Sequence, residues 1–440
     1  MDLSIPRLGP AKIKSPLNLS THIGDNVCNY VPDDERILHD VTVRPGSEKH
    51  DAVAPASSLP VSFEKAGPRE MLYFDVSKVR VGVVTCGGLC PGINNVIRAL
   101  VMELHYHYNV RRIHGFRFGY AGLDPEARQG ILDLTPDVVA KIHHEGGTIL
   151  GSSRGPRDPE TLVDTLERMG INLLFTIGGD GTLRGAHALY EEITRRGLKI
   201  AIIGIPKTID NDILLVEKTF GFETAFSIAI EAIRAAHVEA VGAINGIGLV
   251  KLMGRHSGYI AATAALAEPD VNCVLIPEVP FQINGEKGLI NWLMERIASR
   301  QHAVIVVAEG AGQELLKTRH EESDASGNIR LKDIGTFLKN EIKVHLDEKG
   351  FPHSLKYIDP SYIIRSAPAN PNDSLFCSTL AQNAVHAGMS GRTGMAVGIW
   401  NNVFTHVPIE AATAERKVVD PEGEFWRSVL DCTGQPFDWE

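Results

Sequence analysis

The chain has 440 residues, 43% of them hydrophobic and 22% charged, which is ordinary globular composition on a length that suits roughly two or three domains. A formal net charge of −10 argues against a nucleic-acid partner or an anionic-membrane surface, while a local basic site for phosphates is compatible with it. No window approaches about 18 uninterrupted apolar residues, and the start MDLSIPRLGPAKIK lacks a basic region followed by an apolar run, so no membrane partner and a cytoplasmic location are expected.

Residues 1 to about 78 are rich in Pro, Ser, Asp and His and read as an extension lying over a core domain. From Val79 the pattern becomes short apolar runs alternating with amphipathic stretches, the signature of mostly parallel α/β sheets. In chain order the periodicity predicts strand 79–85, helix 94–108, strand 111–117, helix 159–169, strand 171–177, helix 185–196 and strand 199–206. Helix 223–239, strand 248–253, helix 256–267, strand 272–278, helix 286–299 and strand 302–309 follow, then helices 333–348 and 375–388 and strand 394–400. The charged, Ser- and Gly-containing segment 311–332 reads as a mobile surface loop. The six cysteines, Cys28, Cys86, Cys90, Cys273, Cys377 and Cys432, lack paired CxxC spacing and read as reduced thiols. Cys86 and Cys90 flank a glycine-rich turn, where small buried residues are the simpler reading than metal or redox chemistry.

Three turn motifs come directly after apolar runs, where open parallel sheets take their ligands. Thr85-Cys86-Gly87-Gly88-Leu89-Cys90-Pro91-Gly92 either lets a nucleotide approach the backbone and a helix N-terminus or serves chain reversal alone. Gly178-Gly179-Asp180-Gly181-Thr182 makes a cradle for a polyphosphate, with one carboxylate, Asp180, for Mg²⁺; the plain alternative is a capped turn. Pro206-Lys207-Thr208-Ile209-Asp210-Asn211-Asp212 sets two carboxylates two residues apart beside a lysine and a hydroxyl. One can take a proton from an alcohol while the other helps organise the metal; an Asx-turn is the plain alternative. Met253-Gly254-Arg255, the 356–365 stretch with Lys356, Tyr362 and Arg365, and Arg154 in Gly151-Ser152-Ser153-Arg154-Gly155 add cations that suit phosphate docking or surface ion pairs.

Taken in order, GGxxPGxN, GSxR, GGDGT, PxTIDND, MGR and an aromatic three residues before arginine resemble the phosphofructokinase family over more than 300 residues. Lys207, the strings 245–255 and 357–362 and the N-terminal extension resemble the atypical ATP-dependent clade of plants and trypanosomatids, which has bacterial members. GGDGT alone also resembles NAD and diacylglycerol kinases, so it speaks for a nucleotide phosphate site and leaves the acceptor open. The resemblance implies two Rossmann-like α/β domains with mostly parallel sheets and the active site in the cleft between them. Residues 79–220 plus about 366–415 would form the larger nucleotide domain and 221–365 the smaller sugar-phosphate domain, with a C-terminal segment at 416–440.

The activity implied is transfer of the γ-phosphoryl of MgATP to the 1-hydroxyl of fructose 6-phosphate, giving fructose 1,6-bisphosphate in glycolysis. Carried over residue by residue, Asp210 is the proton acceptor and Asp180 the Mg²⁺ aspartate. Gly88, Arg154, Gly155, Gly179, Asp180, Gly181 and Thr182 match the nucleotide site. Thr208, Ile209, Asp210, Met253, Gly254, Arg255, Glu309, Tyr362 and Arg365 match the sugar-phosphate site. A homodimer or homotetramer and allosteric control are family habits, although the bacterial effector sites do not carry over.

Two departures bear on specificity. Lys207 replaces the glycine of common bacterial members and is shared with pyrophosphate-dependent relatives; those relatives carry aspartate where this chain has Gly181, so the pair is expected to set the donor and Gly181 to favour ATP. The position from which many members lend an arginine to a neighbouring subunit is Gly246 here, with Lys356 as a candidate substitute. A pyrophosphate-dependent transferase and a non-catalytic sugar-phosphate sensor are the alternatives.

Overall fold

The computed structural model describes residues 2–42, 60–316 and 330–439. Among these, β1 (Ile13–Lys14), β2 (Arg36–Leu38), β3 (Ser62–Lys65) and β4 (Met71–Leu72) come from the first 78 residues. β5 (Arg80–Thr85), β6 (Arg112–Phe116), β7 (Ile131–Asp133), β8 (Leu173–Gly178) and β9 (Ala201–Pro206) follow. Then come β10 (Gly246–Leu252), β11 (Cys273–Leu275), β12 (His302–Ala308) and β13 (Ser354–Ile358), and last β14 (Met395–Trp400) and β15 (Val403–Pro408). The chain divides into two compact units: unit 1 is Met1–Lys207, Ile213–Phe220 and Pro371–Glu415, and unit 2 is Thr208–Asp212, Gly221–Asn370 and Arg416–Glu440.

Unit 1 is built on a nine-stranded sheet in the order β2-β3-β15-β14-β9-β8-β5-β6-β7. From β14 to β6 neighbours run parallel, and the flanks are antiparallel. Parallel neighbours need crossover connections, and the helices Ile93–Met102, Pro159–Met169, Asp180–Arg195 and Pro371–Met389 belong to this unit. Every residue of β8 and β9 is buried, the reason both read as unbroken apolar runs instead of alternating ones. Unit 2 has a four-stranded sheet, β11-β12-β10-β13, parallel throughout. Its core joins Ile247 and Leu249 of β10 and Ile305 and Val307 of β12 to Leu293, Leu338 and Ile342 of the covering helices. Two α/β units, one with a parallel sheet and one with a parallel centre and antiparallel flanks, bear out the α/β fold class expected from the sequence.

Several elements differ from expectation for identifiable reasons. The helix expected over 94–108 is α-helical to Met102 and then makes a π-turn over Glu103–His107, closed by a 2.7 Å contact of His107 Nδ1 with Glu103 Oε2. The helix expected from 185 begins at Asp180, so the GGDGT glycines do not delay it. β15 escaped the sequence reading, although Asn401 and Asn402 both have positive φ, the two-residue turn that right-twisted hairpins favour. In the 311–332 segment, 317–329 lie outside the described residues and Gln313–Leu316 is a 3₁₀ turn.

The N-terminal stretch is stitched into unit 1. β3 pairs with β15, β1 with β4, and Leu8 N–H donates to Gly391 O at 2.8 Å. Beneath them, the buried Arg392 guanidinium bonds Glu64 and reaches Asp33 at 2.8 Å, and His406 Nδ1 lies 2.9 Å from Glu64 Oε1. Glu64 and Asp33 keep Arg7 and Arg69 as partners when Arg392 is lost, so Arg392→Ala removes a buried side chain and its bonds without stranding a charge and is expected to cost about 1–3 kcal/mol. Thermal unfolding of the full chain checks this; an unchanged Tm would contradict it.

Candidate active site

In unit 1, turns leave the carboxyl ends of adjacent strands β5 and β8. Between β5 and the Ile93–Met102 helix, Gly87 and Gly92 have φ of 85° and 97°, which glycine adopts without a Cβ penalty. Gly87 N–H donates to Ser153 O at 3.0 Å and Ser152 Oγ donates to Gly87 O at 2.6 Å. Thr85 Oγ1 also donates to Gly151 O at 2.6 Å. Gly88 on one turn, and Arg154 and Gly155 on the other, are thus brought together, with Arg154 exposed. Burial pushes the Cys86 thiol up to about 12 and Cys90 Sγ donates to Phe220 O at 3.2 Å, as fits packed, protonated thiols.

β8 runs directly into the second motif. A Cβ on Gly178 would lie 2.1 Å from Thr182 Oγ1, so no side chain fits there. Gly179 is the extended N-cap of the Asp180–Arg195 helix, which makes Asp180, Gly181 and Thr182 its first turn, at the positive end of the helix dipole that favours an anion; Thr182 N–H donates to Gly179 O at 2.9 Å. The Asp180 side chain is 12% exposed and pairs with Arg184 Nε at 3.2 Å. Gly181 is exposed, and a Cβ added there would meet nothing within 4 Å. Lys207 joins both motifs: its N–H donates to Gly178 O at 2.9 Å and its Nζ to Gly88 O at 2.5 Å.

The chain leaves unit 1 at Lys207 and enters unit 2 at Thr208. Asp210 N–H donates to Thr208 Oγ1 at 3.1 Å, and Thr208 Oγ1 donates to Asp212 Oδ1 at 3.0 Å. Asn211 takes φ 53°, which its short amide side chain tolerates. Arg416 Nη1 meets Asp212 Oδ2 at 2.7 Å. Ser257 Oγ donates to Asp210 O at 3.2 Å, whereas Asp210 Oδ1 is shut from solvent with no hydrogen-bond partner. The turn is thus closed by the Thr208 hydroxyl, the Ser/Thr counterpart of the expected Asx-turn, and the Asp210 Oδ1 oxygen stands outside it. Ile209 is buried beside them.

Met253, Gly254 and Arg255 follow β10. Gly254 has φ 127°, and a Cβ there would approach Ser257 O to 2.6 Å. Glu309 N–H donates to Leu252 O at 2.9 Å and Gly310 N–H to Gly254 O at 3.0 Å, which zips the loops after β10 and β12 and sets Arg255 beside Glu309. On the Ser361–Ser366 helix the Arg365 guanidinium lies 4.6 Å from the exposed Tyr362 ring centroid, a cation–π distance. Lys356 is exposed on β13. A Cβ at Gly246 would stand 2.0 Å from Ala240 O, so the backbone itself leaves no room for an arginine at that position.

Comparison with known proteins bears directly on this arrangement: residues 80–388 match the family model for phosphofructokinase. The chain belongs to the phosphofructokinase family. An ATP-dependent 6-phosphofructokinase of Borreliella burgdorferi is 48% identical over 99% of this chain and 97% of its own length. One from Trypanosoma brucei brucei is 48% identical over 86% of this chain and 78% of its own. A pyrophosphate-dependent phosphofructokinase from Marinobacter aquaeolei superposes with a TM-score of 0.67 at 22% identity, over 80% of this chain and 91% of that one, a likeness of fold.

The phosphofructokinase signature residues of unit 2 share an unusual electrostatic setting. Burial first, then Asp212 and Glu309, push the Asp210 carboxyl well above the usual carboxylate range, against the Arg255 backbone N–H and Arg416. Burial also raises Glu309, opposed by Arg255, Lys251 and Arg365. Lys251 was missed by sequence reading: 13% exposed, it pairs with Asp359 at 2.7 Å and Asp333 at 3.4 Å, and its signal was a lysine inside an apolar strand. Arg184 was signalled by its place one helical turn after Asp180. Arg416 had no local signal, since 204 positions separate it from Asp212.

Proposed function

We propose that this phosphofructokinase is an ATP-dependent 6-phosphofructokinase that phosphorylates the 1-hydroxyl of fructose 6-phosphate. The observation that carries the reading is Asp210 Oδ1, buried and without a hydrogen-bond partner, in a turn where both Asp212 carboxylate oxygens are bonded. It is positioned to accept a proton in a reaction that asks little other covalent help of the protein. The names of the full-length relatives at 48% identity support the donor, and the open space at Gly181 agrees with a nucleotide donor there.

Each half has its own work. In unit 1, Gly88, Arg154, Gly155 and Gly179 to Thr182 hold the donor phosphates through backbone N–H groups and a cation. Asp180 suits Mg²⁺, which takes one or two carboxylates plus phosphate oxygens; when bound, the ion neutralises charge on the transferred group. In unit 2, Arg255, Tyr362 and Arg365 receive the sugar phosphate and Thr208, Ile209, Met253, Gly254 and Glu309 border the sugar. Asp210 takes the proton as the sugar oxygen bonds to the γ-phosphorus and the bond to ADP breaks. Units 1 and 2 are accordingly read as nucleotide and sugar-phosphate domains, in a cytoplasmic homodimer or homotetramer.

The acceptor is tested by supplying ATP with a panel of hexose phosphates to the full chain and identifying products by phosphorus NMR. A bisphosphate from fructose 6-phosphate is expected; turnover of another sugar phosphate alone, or of none, would contradict the assignment. Because Asp210 must be deprotonated to act and its carboxyl is held high, kcat at saturating substrates is expected to fall as pH drops through a value well above the ordinary aspartate value of about 3.9. A pH profile flat down to that ordinary value would remove Asp210 as the base.

A further inference from the structure

We propose that Arg416, beyond the 80–388 family match, is a positioning residue that holds the Thr208–Asp212 turn in its working geometry through Asp212. This deepens the functional reading above and rests on it. Arg416 begins the Arg416–Glu440 segment, which belongs to the same unit as the turn. Its Nη1 donates to Asp212 Oδ2 at 2.7 Å, and the next residue's N–H, that of Lys417, donates to Asp212 O at 3.1 Å.

From Asp212 the connection continues inward. Asp212 Oδ1 accepts from Thr208 Oγ1 at 3.0 Å, and Thr208 Oγ1 accepts the Asp210 N–H at 3.1 Å. Both oxygens of Asp212 are thereby engaged and its orientation is set, while Asp210 Oδ1 stays unengaged. The two carboxylates have different jobs: Asp212 is the anchor of the turn and Asp210 the group left for chemistry. Asp212 is 8% exposed at its side chain and Arg416 32%, so the pair is shielded enough for loss of the cation to leave a nearly buried charge unpaired. The charges of Asp212, Glu309 and Arg416 and the backbone N–H of Arg255 act on the Asp210 carboxyl, and Arg416 is the one that reaches the turn from the end of the chain.

The test compares wild type, Arg416→Ala and Arg416→Lys as full chains, with a fold readout and an activity readout. Amide hydrogen exchange over the peptide spanning 208–212 is expected to quicken in Arg416→Ala and return toward wild type in Arg416→Lys, which can restore a cation at Asp212 Oδ2. Since small misplacements cost about 10²-fold, Arg416→Ala is expected to lower kcat by roughly that factor with the KM for fructose 6-phosphate changed little. Unchanged exchange and unchanged kcat would overturn the proposal, as would a loss confined to KM. Should wild type fail to use ATP and fructose 6-phosphate, the functional reading falls, while the exchange comparison still decides whether Arg416 holds the turn. If Arg416→Ala does not fold, Arg416→Lys against Arg416→Gln gives the same comparison.

Discussion

Asp210→Asn is expected to lower kcat by about 10²–10⁴-fold, the usual worth of a positioned proton acceptor, while fructose 6-phosphate still binds. The substitution is clean because the bonds that Asp210 makes within the turn run through its backbone: its N–H to Thr208 Oγ1 and its carbonyl from Ser257 Oγ. A near-isosteric side chain leaves them in place. Stability should not suffer. A carboxyl whose folded pKa is raised begins to cost stability as pH rises past its unfolded value of about 3.9, and the cost grows until the folded pKa is passed. Burial, Asp212 and Glu309 raise this one, so the neutral amide is expected to match or exceed the wild-type Tm at neutral pH. Steady-state kinetics, equilibrium binding of fructose 6-phosphate and thermal unfolding check the three parts. An unchanged kcat would end the assignment of Asp210 as base; lost turnover together with lost binding and a lowered Tm would reassign it to structure.

Gly181→Asp is expected to reduce kcat/KM for ATP by about 10²-fold or more, since juxtaposed like charges cost several kcal/mol and about 2.7 kcal/mol is a hundredfold. The protein itself has room for the change: a Cβ at Gly181 meets nothing within 4 Å, and the residue lies in the first turn of the Asp180–Arg195 helix, where a carboxylate is welcome to the helix dipole. Misfolding is therefore not the expected cause of a loss. The conflict would be between the new carboxylate and the donor phosphates. Full ATP activity in the folded variant would mean that this position does not face the donor.

What the sequence disclosed and what it withheld divide along a physical line. β8 and β9 were readable because buried parallel strands leave unbroken apolar runs, and the turn motifs were readable because a close backbone approach demands glycine, as the 2.1 Å clash at Gly178 makes concrete. The start of the Asp180–Arg195 helix was misjudged because helix propensity counts Gly181 as a breaker, whereas the tertiary setting makes it part of the first turn. β3 and β15 bury polar residues, Glu64 facing His406 across the pair, so neither reads as an unbroken apolar run. The support around Asp210 was invisible for another reason: Arg416 meets Asp212 across 204 positions of chain, and no local pattern encodes such a pairing. Lys207 carries a further lesson. Its likeness to pyrophosphate-dependent relatives raised the question of the donor, and its Nζ bond to the Gly88 carbonyl shows that it ties two glycine turns together.

The most direct measurement compares initial rates of fructose 1,6-bisphosphate formation by the 440-residue chain with ATP and with pyrophosphate, each with Mg²⁺ and saturating fructose 6-phosphate. Product is expected with ATP, at a rate that pyrophosphate does not approach. Product with pyrophosphate and none with ATP would contradict the donor assignment and return Lys207 to the centre of the question.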